Sequence, residues 1–160
     1  MELKDFLGEI TKYLSLKYTP EQHTPALKRV EALKADSSDT AIKGLLDSLN
    51  EPFSQTFLRF IDYKKMTDAD VYRRANIDRR LFAKIRRPDY RPSKQTVLAL
   101  AIALELDLDE TKLLLERAGF TLSHSQKSDV IIEYFIMRKI YNLHEINSVL
   151  YEYDQPILGG

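Results

Sequence analysis

Arg79, Arg80 and Lys84 lie within six residues of one another and carry side chains suited to touching nucleic acid. A guanidinium holds its N–H donors in a planar fork, which matches O6 and N7 of guanine in a major groove. Around these three stand Arg73, Arg86, Arg87, Arg91 and Lys94, cations of the kind that meet phosphates and set position without reading sequence. The charge is local. Residues 59–94 hold 12 Lys and Arg against 5 Asp and Glu, a balance of +7, whereas residues 1–58 hold 7 against 9 and residues 95–160 hold 5 against 10. The whole chain is neutral, which by itself argues against a polyanion partner; the clustering reopens the question. Taken as charge alone, such a run also describes a solvated helix face.

Other chemistries find little support. His23, His124 and His144 are scattered and form no H-E-x-x-H pair or other metal-ligand spacing. Ser123-His124-Ser125 is adjacent in sequence, but adjacency does not build a triad, and helix-capping polar residues account for it. Asp107, Asp109 and Glu110 lack the glycine and ligand spacing of a calcium loop and read as helix-start residues. No glycine-rich phosphate loop occurs among only 5 glycines, and cysteine is absent, which fits a reducing compartment. The sequence therefore predicts a non-enzymatic protein with no catalytic residue, no metal ligand and no cofactor.

The cations must be positioned by the stretch from Met66 to Leu104, which reads as three short helices. Thr67 caps the first, with Asp70 as its capping-box partner. Asn76 and Asp78 mark the turn, since Asn tolerates a left-handed backbone. The second helix, about Arg79–Arg87, turns Phe82 and Ile85 inward and leaves its cations outward. The Pro88–Pro92 loop ends it. Ser93 caps the third, whose Val97, Leu98, Ala101, Ile102 and Leu104 are buried types.

The remaining chain is patterned for helices throughout. Leu3, Phe6, Leu7, Ile10, Tyr13 and Leu14 make an amphipathic helix over residues 2–18, broken at Thr19-Pro20. Thr24-Pro25 restarts one carrying Leu27, Val30 and Leu33; after an Asp36–Asp39 loop, Thr40–Leu49 forms another with Ile42, Leu45, Leu46 and Leu49 inward. Asn50-Glu51-Pro52 is the boundary, followed by a supporting helix with Phe53, Phe57, Leu58 and Ile61. Later, Asp107 and Glu110 form a second capping box, Gly119 ends that helix in the left-handed conformation, Ser125 starts the next, and Asn142 with Glu145 caps the last. Residues 154–160 are an extended tail; its Leu158-Gly159-Gly160 is similar to ubiquitin-like tails, but no β-grasp pattern accompanies it. The prediction is an all-α multi-helix bundle: an N-terminal helical region over residues 1–50 for packing or partner binding, a core over 51–122, and a C-terminal helical extension over 123–160, packed on that core or used for dimerisation. No stretch approaches the roughly 18 apolar residues of a membrane span, and the basic-then-apolar pattern of a leader is missing, so a cytoplasmic location is expected.

Over residues 53–119 the chain resembles the helix-turn-helix module of the XRE (Cro/cI-like phage-repressor) family. Thr67, the turn Asn76-Ile77-Asp78, the candidate recognition segment Asp78–Arg87, Pro92-Ser93 and Leu106-Asp107-Leu108-Asp109-Glu110 carry the likeness, with Ile77, Phe82 and Ile85 on the family's core positions. Two positions depart. Tyr72 stands where the family usually has Ala or Gly at the helix crossing, and Asn76 where it has a turn glycine. A fainter likeness, over Leu98–Leu158 together with ANIDRRLF and DQPILG, is to a helical module of bacterial proteins that also carry a macro domain, for which this chain leaves no room.

The XRE resemblance implies a double-stranded DNA-binding transcriptional regulator, with Arg79, Arg80 and Lys84 at base edges and Arg73, Arg86, Arg87, Arg91 and Lys94 at phosphates. It also implies a homodimer, since repressors of this type read two half-sites. The same helices could instead form a protein-interaction adaptor, favoured by Tyr72 and the neutral total charge, or bind RNA through the same patch. The aromatics Tyr134, Phe135, Tyr141, Tyr151 and Tyr153, interleaved with Ile, Leu and Val, read as core or self-association surface more than as base-stacking platforms.

Overall fold

A computed structural model describes residues 3–17 and 51–160. The helix placed at Thr24-Pro25 with Leu27, Val30 and Leu33, the Asp36–Asp39 loop, the Thr40–Leu49 helix and His23 lie outside the described residues. Among the described residues all regular structure is helical: α1 (Leu3–Lys17), α2 (Phe53–Lys64), α3 (Asp68–Arg74), α4 (Arg79–Ile85), α5 (Lys94–Ala103), α6 (Leu108–Arg117), α7 (Lys127–Met137) and α8 (Leu143–Glu152). The protein is an all-α bundle, as its periodicity indicates.

The central element is α5, buried on every side from Thr96 to Ala103. Its alternating Ala99, Ala101 and Ala103 leave room for close neighbours, and α3, α6 and α8 all pack on it. Apolar residues of α7 and α8 join the same core as those of α2–α6, so residues 123–160 are packed on residues 51–122. In turn α1 lies on α7 and α8 through Leu7, Tyr13, Leu14 and the fully buried Ile10. Glu9 accepts from the Tyr134 hydroxyl and the Arg138 guanidinium, which holds its carboxyl below the usual range, the tyrosine having the larger influence. Burial and the neighbouring Glu133 push the Tyr13 phenol up to about 12. Tyr134 and Phe135 are core residues, in edge-on contact at 5.6 Å.

The caps form where local chemistry requires them. Thr67 accepts from the Asp70 N–H, Ser93 from Thr96, and Asn142 from Glu145. Asp107 and Glu110 satisfy each other's backbone N–H at 3.0 and 2.8 Å, a reciprocal arrangement that removes two of the four orphan donors of α6. One helix start differs from expectation. α7 begins at Lys127 behind Gln126, with no side-chain cap, rather than at Ser125; Ser123 has already taken the Ser125 N–H at 3.1 Å, which holds that segment in a turn.

Five non-glycine residues adopt a left-handed backbone: Lys65, Asn76, Glu105, Lys139 and Asp154, with φ between 53° and 57°. Each follows a helix and lets the next N–H reach back into the last turn, as Ile77 does to the Tyr72 carbonyl at 2.9 Å. The tail docks as well. Leu158 is buried and exchanges two hydrogen bonds with the Asn147 side chain, at 2.8 and 3.0 Å, and Thr96 donates to the Gly159 carbonyl.

Candidate nucleic-acid interface

The α3–α4 pair is built from the core outward. Phe82 and Ile85 are buried under α4, and the Phe82 ring meets Phe57 of α2 edge-on at 5.8 Å. Tyr72, the bulky residue at the crossing, is half-buried and also meets Phe82 edge-on, at 5.6 Å. Its bulk is thus accommodated by an aromatic contact of a type worth about 0.5–1.5 kcal/mol beyond area burial. Between the helices Asn76 takes the left-handed conformation at φ 53°. Asp78 caps α4 by accepting from the Leu81 N–H at 2.7 Å.

This scaffold leaves Arg79, Arg80 and Lys84 exposed on α4, Arg80 and Lys84 one turn apart on the same side. Among the described residues none of the three has an ion-pair partner, nor have Arg87 and Arg91, which are exposed just beyond α4. The other three cations are engaged. Arg86 pairs with Asp68 at 2.6 Å, tying the end of α4 to the start of α3. Arg73 folds along α3, donating to the Ala69 carbonyl and to Asp70 at 3.1 Å. The Thr67 hydroxyl and, less strongly, Arg73 hold the Asp70 carboxyl below its usual range.

Lys94 is the clearest departure from the sequence reading. Instead of facing out for a phosphate, its ammonium is 2.6 Å from Asp129, a carboxylate only 2% exposed that also accepts the Ser123 N–H. A buried carboxylate is costly without a cation, so Lys94 is committed to holding α7 against α5.

Two cations that the sequence reading passed over, Arg74 and Lys139, join Arg73 at the C-terminal end of α3. There a cavity of about 730 Å³ is lined by Arg73, Arg74, Asn76, Glu105, Lys139 and the start of α8. Its walls come from three separated segments, residues 73–76, 105 and 139–147, so periodicity could not have disclosed it. Tyr141 at its edge donates to the Leu106 carbonyl at 3.1 Å; burial, helped by Asp107, Glu105 and Glu110, raises its phenol and keeps it neutral. Elsewhere, His124 lies 2.6 Å from Glu133, a contact that ties the α6–α7 loop to α7. No group of three potential metal ligands occurs among the described residues, and none of the described helices is long and apolar enough to cross a membrane.

Comparison of the chain with family models, with curated proteins and with solved structures yields no match in any of the three.

Proposed function

We propose that this protein is a non-enzymatic binder of double-stranded DNA, acting as a transcriptional regulator of the helix-turn-helix type. The observation that carries the reading is the set Arg79, Arg80 and Lys84, exposed on one short helix with no ion-pair partner among the described residues. Cations left unpaired on an exposed helix face are ready to donate to base edges, because no salt bridge must first be broken. Arg87 and Arg91, exposed beside them, supply phosphate contacts. The XRE resemblance adds the groove-reading role of α4.

The test is fluorescence anisotropy on duplex DNA across a salt series, with an Arg79/Arg80/Lys84 charge-reversal variant as control. The expected result is a steep fall of log affinity with log salt, flattened by the reversal, because bound phosphates release counterions. Equal affinity for every duplex at every salt concentration would reject sequence-specific reading. Absence of binding at low salt would move the assignment to the protein-interaction adaptor, which the engagement of Arg73, Arg86 and Lys94 with Asp70, Asp68 and Asp129 favours. Displacement by RNA but not by duplex DNA would select the RNA reading.

A further inference from the structure

We infer that the cavity at the C-terminal end of α3 is a binding site for a small phosphorylated molecule, one presenting a phosphomonoester or pyrophosphate group. The site is distinct from the α4 face: none of Arg79, Arg80 and Lys84 lines it, so the inference does not rest on DNA binding.

Three chain reversals and one helix start build the cavity. Asn76, Glu105 and Lys139, all left-handed, follow α3, α5 and α7, and the fourth wall is the beginning of α8. The lining carries the cations Arg73, Arg74 and Lys139 and the imidazole of His144 against a single acid, Glu105, with Arg73 also paired to Asp70 outside the lining. Lys139 and His144 have no ion-pair partner among the described residues. Arg74 forms an ion pair with Glu105 at 3.8 Å, too long for a hydrogen bond, so its N–H donors are not bonded to that carboxylate. Cations near the ends of α3 and α7 suit the helix dipoles there; Arg73 donates to the Ala69 carbonyl and to Asp70, whereas Lys139 makes no such contact among the described residues. At the rim of α8, Asn142 satisfies the Glu145 N–H, while those of Leu143 and His144 precede the first intrahelical bond.

Size and charge select the ligand. About 730 Å³ falls within the range of small-molecule sites, roughly 300–1,000 Å³. A phosphodiester in a duplex carries one charge and is flanked by sugars on both sides. A terminal phosphate or pyrophosphate carries more charge, enters a concave site, and gives Arg74 the bidentate partner that Glu105 does not.

The experiment is an NMR titration of the full chain with inorganic pyrophosphate at constant ionic strength, following backbone amides. The expected result is saturable shifts at residues 73–76 and 139–147. Lys139→Gly combined with Arg74→Ala should weaken binding by about tenfold or more, while Arg80→Ala leaves it unchanged. Glycine is chosen at 139 because the left-handed backbone there suits it. Shifts that chloride reproduces, shifts confined to α4 and lost in Arg80→Ala, or no saturation would each overturn the inference. The wild-type shift map decides the matter even if the double variant fails to fold. A protein that binds pyrophosphate but no DNA would retain this site and lose the regulator reading; the reverse outcome would separate them the other way.

Discussion

The α4 face and the cavity beyond α3 are both basic, yet they are made in opposite ways. The face takes its charges from six consecutive residues on one exposed helix, and the side chains point away from the protein. The cavity takes Arg73, Arg74, Lys139 and His144 from elements up to 71 residues apart and turns them toward a common space. A convex patch suits a polymer that spreads its charge over distance, and a concave one suits a compact anion. Sequence density of charge therefore predicts the first kind of surface and says nothing of the second. Lys94 shows the remaining case, a cation inside the basic run that the fold has taken for itself.

The sharpest way to break this division is at Lys94. Lys94→Met should destabilise the protein by about 3 kcal/mol, because it leaves Asp129 buried and uncompensated; thermal unfolding measures it. The salt slope of DNA binding should not change, and a reduced slope at unaltered stability would return Lys94 to the phosphate contacts. Next in size, Arg79→Ala or Arg80→Ala should each cost about 1–3 kcal/mol of specific DNA binding. Arg91→Ala should instead weaken all duplexes alike and lower the salt slope by about 1. If Arg91→Ala changed specificity instead, the assignment of base and phosphate roles would be reversed.

A smaller effect probes the pairs within the α3–α4 unit. Asp68→Asn should release Arg86, change stability by no more than about 1 kcal/mol, and steepen the salt slope by about 0.9 as one more phosphate is neutralised. An unchanged slope would show that Arg86 acts only within the fold. The smallest expectation lies far from both basic regions. Tyr13 has its phenol raised to about 12 by burial and Glu133, above the unfolded value near 10. Its contribution to stability is thus complete below pH 10 and lost as pH rises toward 12. Comparing unfolding of wild type and Tyr13→Phe over this window should show the wild type losing stability faster; parallel curves would place the Tyr13 phenol in water.

What the sequence disclosed was whatever is decided within one turn. Thr67, Ser93, Asp107 with Glu110, and Asn142 cap helices because the accepting side chain and the N–H donor stand three residues apart. Phe82 and Ile85 were legible as the buried side of α4 for the same reason, and so were the turn at Asn76 and the left-handed Gly119. The Lys94–Asp129 pair spans 35 residues and the contact of Glu9 with Tyr134 spans 125; nothing in either neighbourhood announces the other. Glu105 and Lys139 were missed differently. A left-handed helix end is usually signalled by glycine, and at these positions the chain keeps charged residues. Of the candidate site, the α4 cations were readable in full, Arg73 and Lys94 were readable only as charges, and the cavity was not readable at all.

Those helix ends bear on heat tolerance. A side chain held in the left-handed region costs about 1–2 kcal/mol, of which glycine recovers all but its own loss of chain entropy, about 0.5–1 kcal/mol. The ends that hold Lys65, Glu105 and Lys139 are thus a reserve of unrealised thermostability, whereas Asn76 and Asp154 are of the types that tolerate this backbone. At Glu105 and Lys139 the side chains line the cavity, and recovering that reserve would change its charge. Lys65 lines no part of it, so it is the position where the melting point can be raised while the α4 face and the cavity stay whole.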